Sequence, residues 1–210
     1  MKKILITLLI MSVALTSIFA VDGLKVGGEV GYTSFGISLK ADDAKLTVGV
    51  NGFTFAGVAE YKVADGVDVV GKLGLDIHGK PHTTFTYAGN TIKNTEDDAV
   101  PVHFTAYVGG KYTYAINDQF SAYAGLGFDF ALGKLDKDDD KVSAFFGVKA
   151  EIAGKYQIND KFAVTLGGGF TWIFADTDED LKTMKDNVKD SGGSWFEHRF
   201  RVTAGVTYSL

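Results

Sequence analysis

Two short groups of residues have the types that bind a metal ion. Residues 136–140 read Asp-Lys-Asp-Asp-Asp, like the start of a calcium loop. However, Lys141 stands where such a loop needs glycine, and Gly147 stands where it needs a bidentate glutamate. His78 and His82 are four residues apart, yet the Gly-Lys-Pro segment between them would break the helix that could bring both rings to one ion. We therefore predict no metal site and no cofactor.

A third group has the types needed for hydrolysis. Ser194, Glu197 and His198 supply a nucleophile, an acid and a base within five residues. If this segment is a β-strand, its side chains alternate between two faces, and Glu197 lies opposite Ser194 and His198. We therefore predict no catalytic residues and a protein that is not an enzyme.

Composition limits the classes of protein further. The 210 residues carry a formal net charge of −5 and include 26 glycines, two prolines and no cysteine. The absence of cysteine excludes a disulfide framework and thiolate metal sites. Abundant glycine with almost no proline fits neither a collagen-like nor a Pro/Gly-rich disordered chain. An acidic balance without a basic stripe argues against nucleic acid as a partner.

The first twenty residues have the organisation of a secretory signal peptide. Lys2 and Lys3 precede an apolar run from Ile4 to Leu15, and the small residue Ala20 marks the expected cleavage point. The apolar run is shorter than the about 20 residues that a membrane-spanning helix needs. We expect a signal peptide at 1–20 and one domain at 21–210. Loss of both lysines changes the net charge from −5 to about −7.

From Leu24 onward, apolar residues recur at every second position, which is the period of β-strands. The apolar faces of eight such runs hold no Asp, Glu, Lys or Arg and one histidine, His198. Each run is long enough to cross a bilayer as a tilted strand, which takes about 9 to 11 residues. The runs are residues 24–33, 53–63, 67–77, 102–114, 120–132, 142–156, 162–174 and 196–210.

The connections between the runs alternate between short and long. Each short one follows a tyrosine, contains Asn, Asp or Gly, and ends at an apolar residue. The long ones are residues 34–52, 78–101, 133–141 and 175–195. Short turns on one rim and long loops on the other are typical of transmembrane barrels. The pattern predicts an all-β fold, an eight-stranded antiparallel up-and-down transmembrane β-barrel with short periplasmic turns and long extracellular loops.

The charged faces must line the inside of this barrel. An eight-stranded ring has one interior, which side chains just fill. The opposite register would expose eight Lys or Arg side chains to lipid, at roughly 2 to 4 kcal/mol each near the midplane. We therefore predict a charge network in the lumen, formed by Lys25, Glu29, Glu60, Lys72, Asp76, Lys111, Asp129, Lys149, Glu151, Glu197, Arg199 and Arg201.

Aromatic residues of the apolar faces gather at two levels, one toward each end of the runs, with small aliphatic residues between them. Two such girdles indicate two membrane interfaces. The expected interface residues are Phe53, Phe55, Tyr61, Tyr112, Tyr114, Phe128, Phe130, Tyr156, Phe170, Trp172, Phe174, Phe200 and Tyr208.

The pattern resembles the small outer-membrane barrels typified by the OmpX/Ail and OmpA transmembrane families and the opacity-like outer membrane protein beta-barrel group. The resemblance covers residues 22–210 and is one of architecture. It implies a cell outer membrane location with both termini in the periplasm. The implied partners are outer-membrane lipids, the barrel-assembly machinery during biogenesis and, through the loops, a host or cell-surface ligand. We expect a monomer.

Two interpretations of the lumen stay open. Ion pairs near mid-depth would plug the barrel, since unpaired charges there are costly. Alternatively, ten inward glycines, Gly127 and Gly169 among them, leave space for a narrow water-filled channel. The first predicts a structural or adhesion-type surface role through the long loops, and the second a narrow porin or small-solute channel. An outer-membrane enzyme that modifies lipids is a further alternative, whereas the charges argue against a channel for hydrophobic compounds.

Three of the long loops have patterns of their own. In residues 34–52 the apolar positions change parity, which predicts a hairpin beyond the membrane with bulges that re-aim its side chains. Residues 82–92 predict a second protruding hairpin that turns at Gly89 and Asn90. Exposed strand edges are pairing surfaces for a partner. Residues 178–189 begin with acids, end with lysine and carry apolar residues at helical spacing, which predicts a short helix over the mouth.

Overall fold

The structure is a computed structural model that describes residues 23–41, 43–95, 102–134 and 142–210. The expected signal peptide at 1–20 and the Asp-rich segment at 136–140 lie outside the described residues. Across the described ranges, no helix is long and apolar enough to cross a membrane.

The described part of the chain contains ten strands and one helix. In chain order they are β1 (Leu24–Ala41), β2 (Ala44–Ala64), β3 (Val67–His78), β4 (His82–Tyr87), β5 (Asn90–Thr95), β6 (His103–Ala115), β7 (Phe120–Gly133), β8 (Ser143–Gln157), β9 (Phe162–Asp176), α1 (Glu179–Asp190) and β10 (Ser194–Ser209).

Eight of these strands close into a ring in the order β1-β2-β3-β6-β7-β8-β9-β10, with β10 paired to β1. All pairs are antiparallel, and each strand pairs with the ring strand that follows it. Burial alternates along each strand, as Asp76 (0% exposed) and Ile77 (46% exposed) illustrate on β3. The predicted fold class is therefore confirmed. The strands begin and end within two residues of the predicted runs, except where β1 and β2 are longer.

Two of the three short turns are built alike. The side-chain oxygens of Asn117 and Asn159 each accept hydrogen bonds from the backbone N–H groups two and three residues later, at 2.8 to 3.0 Å. Such Asx turns close a tight connection without help from other residues. In the third turn, Gly66 has a φ of 73°, a left-handed conformation that glycine adopts without a steric penalty. We call this rim of the ring the short-turn end and the opposite rim the long-loop end.

β1 and β2 continue past the ring at the long-loop end as one uninterrupted hairpin. Their register has no shift from Leu24 to Ala41, so the predicted bulges are wrong. The apolar residues Phe35, Ile37 and Val50 lie on the same inward face as the charged residues below them, and all three are buried. The inner surface itself changes from charged to apolar along the strands, and this change explains the altered parity in the sequence.

The second predicted hairpin is also present, as β4 and β5. It turns at Ala88 (φ 45°) and Gly89 (φ 82°), one residue earlier than predicted, because a type I′ turn needs positive φ at both central positions. β4 pairs with β2 between Ala44 and Gly49. The ends of β10, β1 and β2 at the long-loop end, together with β4 and β5, thus form a five-stranded sheet beyond the ring. We call it the protruding sheet.

Close approach of β1 and β10 gives a testable consequence at Gly31. A Cβ added there would meet the Val202 carbonyl and lie 2.8 Å from Thr203 Cα. Because backbone atoms cannot move aside, we expect Gly31→Ala to destabilise the barrel by about 1 to 3 kcal/mol. The heat-modifiable gel shift would then be lost at a lower temperature.

The matched control is Gly71→Ala on β3, where nothing lies within 4 Å of an added Cβ. Alanine is favoured over glycine inside a strand, so this variant should melt no earlier than the parent. Equal losses in both variants would contradict the close approach of the two strands.

Candidate functional site

Lys72 lies at the centre of the charged lumen. Its Nζ is 3.0 Å from Glu29 Oε2 and 2.9 Å from Glu151 Oε2, and Glu151 Oε2 also pairs with Lys149 Nζ at 2.8 Å. Lys72 is on β3, Glu29 on β1 and Glu151 on β8, and no two of these strands are neighbours in the ring. Ion pairs between such strands form only across the interior, so this middle layer crosses the lumen.

A second layer of ion pairs lies toward the long-loop end. Arg201 Nη2 is 2.9 Å from Asp76 Oδ2, and Arg199 Nη1 is 3.1 Å from Asp129 Oδ2. The two arginines of β10 thereby bridge β3 and β7 across the ring. Thr171 Oγ1 also donates a hydrogen bond to Asp129 Oδ2 at 2.8 Å. All four charged residues are buried.

A third layer lies toward the short-turn end. Lys111 Nζ pairs with Glu60 Oε1 at 2.5 Å and lies 3.8 Å from Asp68 Oδ2, and Lys25 Nζ is 3.4 Å from Asp68 Oδ1. Asp68 is absent from the predicted network, although the alternation along β3 places it inside. The sequence does not show which residues Asp68 contacts, because its partners lie on other strands, β1 and β6.

Glu197 belongs to none of these three layers. It accepts a hydrogen bond from Trp195 Nε1 and pairs with Lys185 Nζ of α1 at 3.2 Å. Lys185 Nζ is also 3.6 Å from Asp176 Oδ2. Sequence reasoning missed Trp195, Lys185 and Asp176, since their contacts depend on where the helix docks. Glu197 therefore anchors the helix to the rim.

α1 lies across the long-loop end, where a short helix is predicted. Asp178 caps it by accepting hydrogen bonds from two backbone N–H groups of the first turn, each at 3.0 Å. Leu181 packs into the apolar cluster on the inner face of the strands. Met184, which the helical spacing predicts to share that side, is 47% exposed. The buried members of the cluster are Phe35, Ile37, Val50, Ala131, Phe145, Ile173 and Leu181.

Two buried histidines lie between the second layer of ion pairs and this apolar cluster. His78 Nε2 is 3.2 Å from His103 Nδ1, and His103 Nε2 is 3.0 Å from the Lys134 carbonyl oxygen. Since a carbonyl only accepts, a neutral His103 ring donates from Nε2 and accepts from His78 at Nδ1. His82 lies on the opposite face, beside Gly49. Among the described residues, no group of three or more His, Cys, Asp or Glu could hold a metal ion.

The three residues considered for hydrolysis do not come together. Glu197 is inside the barrel and 1% exposed. His198 points outward, where its ring stacks on Phe170 and Phe196 with centroid distances of 6.0 and 5.2 Å. Ser194 shares the outward face. A nucleophile and a base on the outside therefore have no access to this acid.

The inward glycines do not leave open space. A Cβ added at Gly127 would lie 2.8 Å from the Tyr107 ring, and one at Gly169 would lie 2.7 Å from Lys149 Cε. Neighbouring side chains thus occupy the volume that glycine gives up. A cavity beside Lys149 and Arg201 has a volume of about 10 Å³, close to the minimum for one water molecule.

A closed antiparallel ring with an apolar exterior and paired charges inside defines an integral membrane β-barrel. The chain belongs to the outer membrane protein beta-barrel domain family, whose sequence profile matches residues 4–189. It is therefore an outer-membrane protein.

Several solved structures share this fold, and two of them illustrate the likeness. Neisserial surface protein A is 10% identical, with a TM-score of 0.58 over 90% of this chain and 98% of that chain. The N-terminal β-barrel domain of Pseudomonas aeruginosa OprF is 10% identical, with a TM-score of 0.53 over 89% of this chain and 97% of that chain. At these identities the likeness concerns the fold alone. No curated protein matches the sequence.

The middle layer makes a testable prediction at Glu151. Replacing it by Gln leaves Lys149 without an ion-pair partner among the described residues. An unpaired buried charge costs about 3 to 5 kcal/mol, so the free energy of unfolding in lipid vesicles, measured with urea, should fall by that order. The double variant Lys149→Met/Glu151→Met should recover most of the loss, because it removes both charges.

Asp65→Asn is the matched control. The hydrogen bond and charge of Lys62 hold the pKa of Asp65 below its usual value, but this pair is exposed in a short turn and contributes little to stability. If Glu151→Gln were as harmless as Asp65→Asn, the lumen would be hydrated rather than sealed by its ion pairs.

Proposed function

We propose that this protein is a closed outer-membrane barrel with a structural or adhesion-type surface role, carried out by its extracellular parts. The observation that carries the proposal is the packing of the lumen by ion pairs between non-neighbouring strands. The middle layer at Lys72 and the second layer at Arg199 and Arg201 each reach across the ring. The apolar cluster and α1 lie above them. A solute would have to break several buried pairs to pass.

Orientation follows from the same arrangement. β1 begins and β10 ends at the short-turn end, and we assign this end, with both termini, to the periplasm. The long-loop end with the protruding sheet then faces outward from the cell. The outward aromatic residues near the two ends, such as Phe128 and Tyr112, are exposed, as residues at the two membrane interfaces would be.

The protruding sheet offers a surface for a partner. Within the described residues, β5 pairs with β4 alone, so its other edge has unpaired backbone groups. Phe85, Tyr87 and Ile92 lie on one face of β4 and β5 and are exposed by 41%, 58% and 68%. A free edge beside exposed apolar side chains is a typical site for strand addition by another polypeptide.

Conductance tests the closed lumen. We expect the purified protein to show no steady openings in planar bilayers. The triple variant Tyr107→Ala/Lys149→Ala/Glu151→Ala removes the side chains that fill the space above Gly127 and Gly169 and should produce stable openings. The control Lys62→Ala/Asp65→Ala, at the exposed ion pair of a short turn, should stay closed. Reproducible openings of the unmodified protein would favour the narrow porin.

Adherence tests the surface role. Bacteria that display the protein should adhere to cultured epithelial cells more than bacteria with the empty vector. Replacing residues 83–94 by a short Gly-Ser linker should abolish this gain, because it removes the free edge and the apolar face together. The control Met184→Ser changes an exposed apolar residue of α1 instead and should leave adherence unchanged. Full adherence without the hairpin would contradict an adhesion role for the sheet.

A further inference from the structure

The outward face of the protruding sheet has an unusual composition. The register places fifteen side-chain positions on it, three from each of β10, β1, β2, β4 and β5. They comprise three lysines, two histidines, seven serines or threonines, two glycines and one phenylalanine, with no Asp or Glu. This is the face that β1 and β2 present away from the barrel interior, opposite the face on which α1 packs.

The charges on this face have no protein partner in the described structure. Lys40 lies directly opposite Lys45 in the β1–β2 register, and neither these lysines nor Lys93 forms an ion pair with a described residue. Like charges directly opposite each other destabilise a sheet. An arrangement that is unfavourable for the isolated protein becomes favourable when an anion lies between the two ammonium groups.

Two histidines lie at the lower edge of the face. Gly36 and Gly49 face each other in the register, with His198 beside Gly36 and His82 beside Gly49. A Cβ added to either glycine would come within 3.0 Å of the adjacent imidazole ring. The two rings thus occupy the space above these glycines, both of which are buried, so imidazole side chains form the lower edge of the face.

The position of the face selects the ligand. Below the two glycines, the same outward faces of β1 and β2 continue through Ser34 and Asn51 to Tyr32 and Phe53. These two aromatics are exposed by 43% and 65% and belong to the lipid-facing surface. Lys40 and Lys45 are each eight residues from these aromatics, which is about 26 Å along the strands at about 3.3 Å per residue. In the proposed orientation they stand on the outer side of these aromatics, which is the side on which the head groups of outer-leaflet lipids lie.

We propose that this face binds the phosphorylated saccharide head group of an outer-leaflet lipid. Phosphates pair with Lys40 and Lys45, and sugar hydroxyls form hydrogen bonds with the serine and threonine side chains. Two hydroxyl pairs already show the spacing of such donors, with 3.3 Å between Ser38 and Thr47 and 3.1 Å between Thr86 and Thr91. The assignment uses the proposed orientation of the barrel and is independent of the adhesion role.

Energy transfer from the protein's tryptophans to dansyl-labelled lipid A, in phosphatidylcholine nanodiscs, measures the affinity. Each lysine near a membrane surface contributes about a fivefold factor, so Lys40→Gln/Lys45→Gln should bind about 30-fold more weakly. The matched control Lys182→Gln/Lys189→Gln removes two exposed lysines of α1 on the same side of the membrane and should bind as the parent does. Asp43→Asn, in the turn beyond the two lysines, should bind more tightly.

Three outcomes would overturn the proposal. Equal loss in both double variants would show a general response to net charge. Equal affinity for labelled phosphatidylglycerol would show that the saccharide is not recognised. Competition by soluble glucosamine phosphate as strong as that by unlabelled lipid A would show that the ligand is a free anion. Each variant is first checked for the heat-modifiable shift, so loss of folding is distinguished from loss of binding.

Discussion

The cost of an unpaired charge inside a ring of strands governs the rest of this structure. Strands that face lipid on the outside must carry their polar residues on the inside, and eight strands leave a lumen just wide enough for side chains to fill. In that space the charges must find one another across the ring. Lys72 does so with carboxylates from β1 and β8, and the two arginines of β10 do so with Asp76 and Asp129. The interior is therefore held by contacts that tie distant strands together.

The same constraint explains which features could be predicted from the sequence. The period of two is enforced by lipid on one side and charge on the other, so the ring strands were recognisable to within two residues at most of their ends. Which charges meet could not be predicted, because strand stagger and the curvature of the ring decide it. Asp68 and Lys185 were missed for this reason, and Glu197 binds α1 instead of the lumen layers. Likewise, a sequence shows that Gly127 lacks a side chain but not that Tyr107 fills the vacancy.

The altered parity of residues 34–52 has a related explanation. Alternation tells which residues share a face, but a face takes its chemical character from what covers it. Toward the short-turn end, the inner face of β1 contacts other charges. Toward the long-loop end, at Phe35 and Ile37, it packs against Leu181 of α1. The chain keeps its register while its surroundings change, so a change in pattern does not require an irregularity in the backbone.

The uninterrupted hairpin of β1 and β2 has a mechanical consequence. One continuous ladder joins the tip beside Lys40 to the depth of the membrane beside Glu29. Hydrogen bonds in an antiparallel ladder run perpendicular to the strands, so a pull on the tip along the hairpin loads the ladders from β1 to β10 and from β2 to β3 in shear at the same time. Such a geometry resists extraction under tension. A cell held by this sheet in flowing liquid would transmit the drag into the whole barrel wall instead of peeling the sheet away bond by bond.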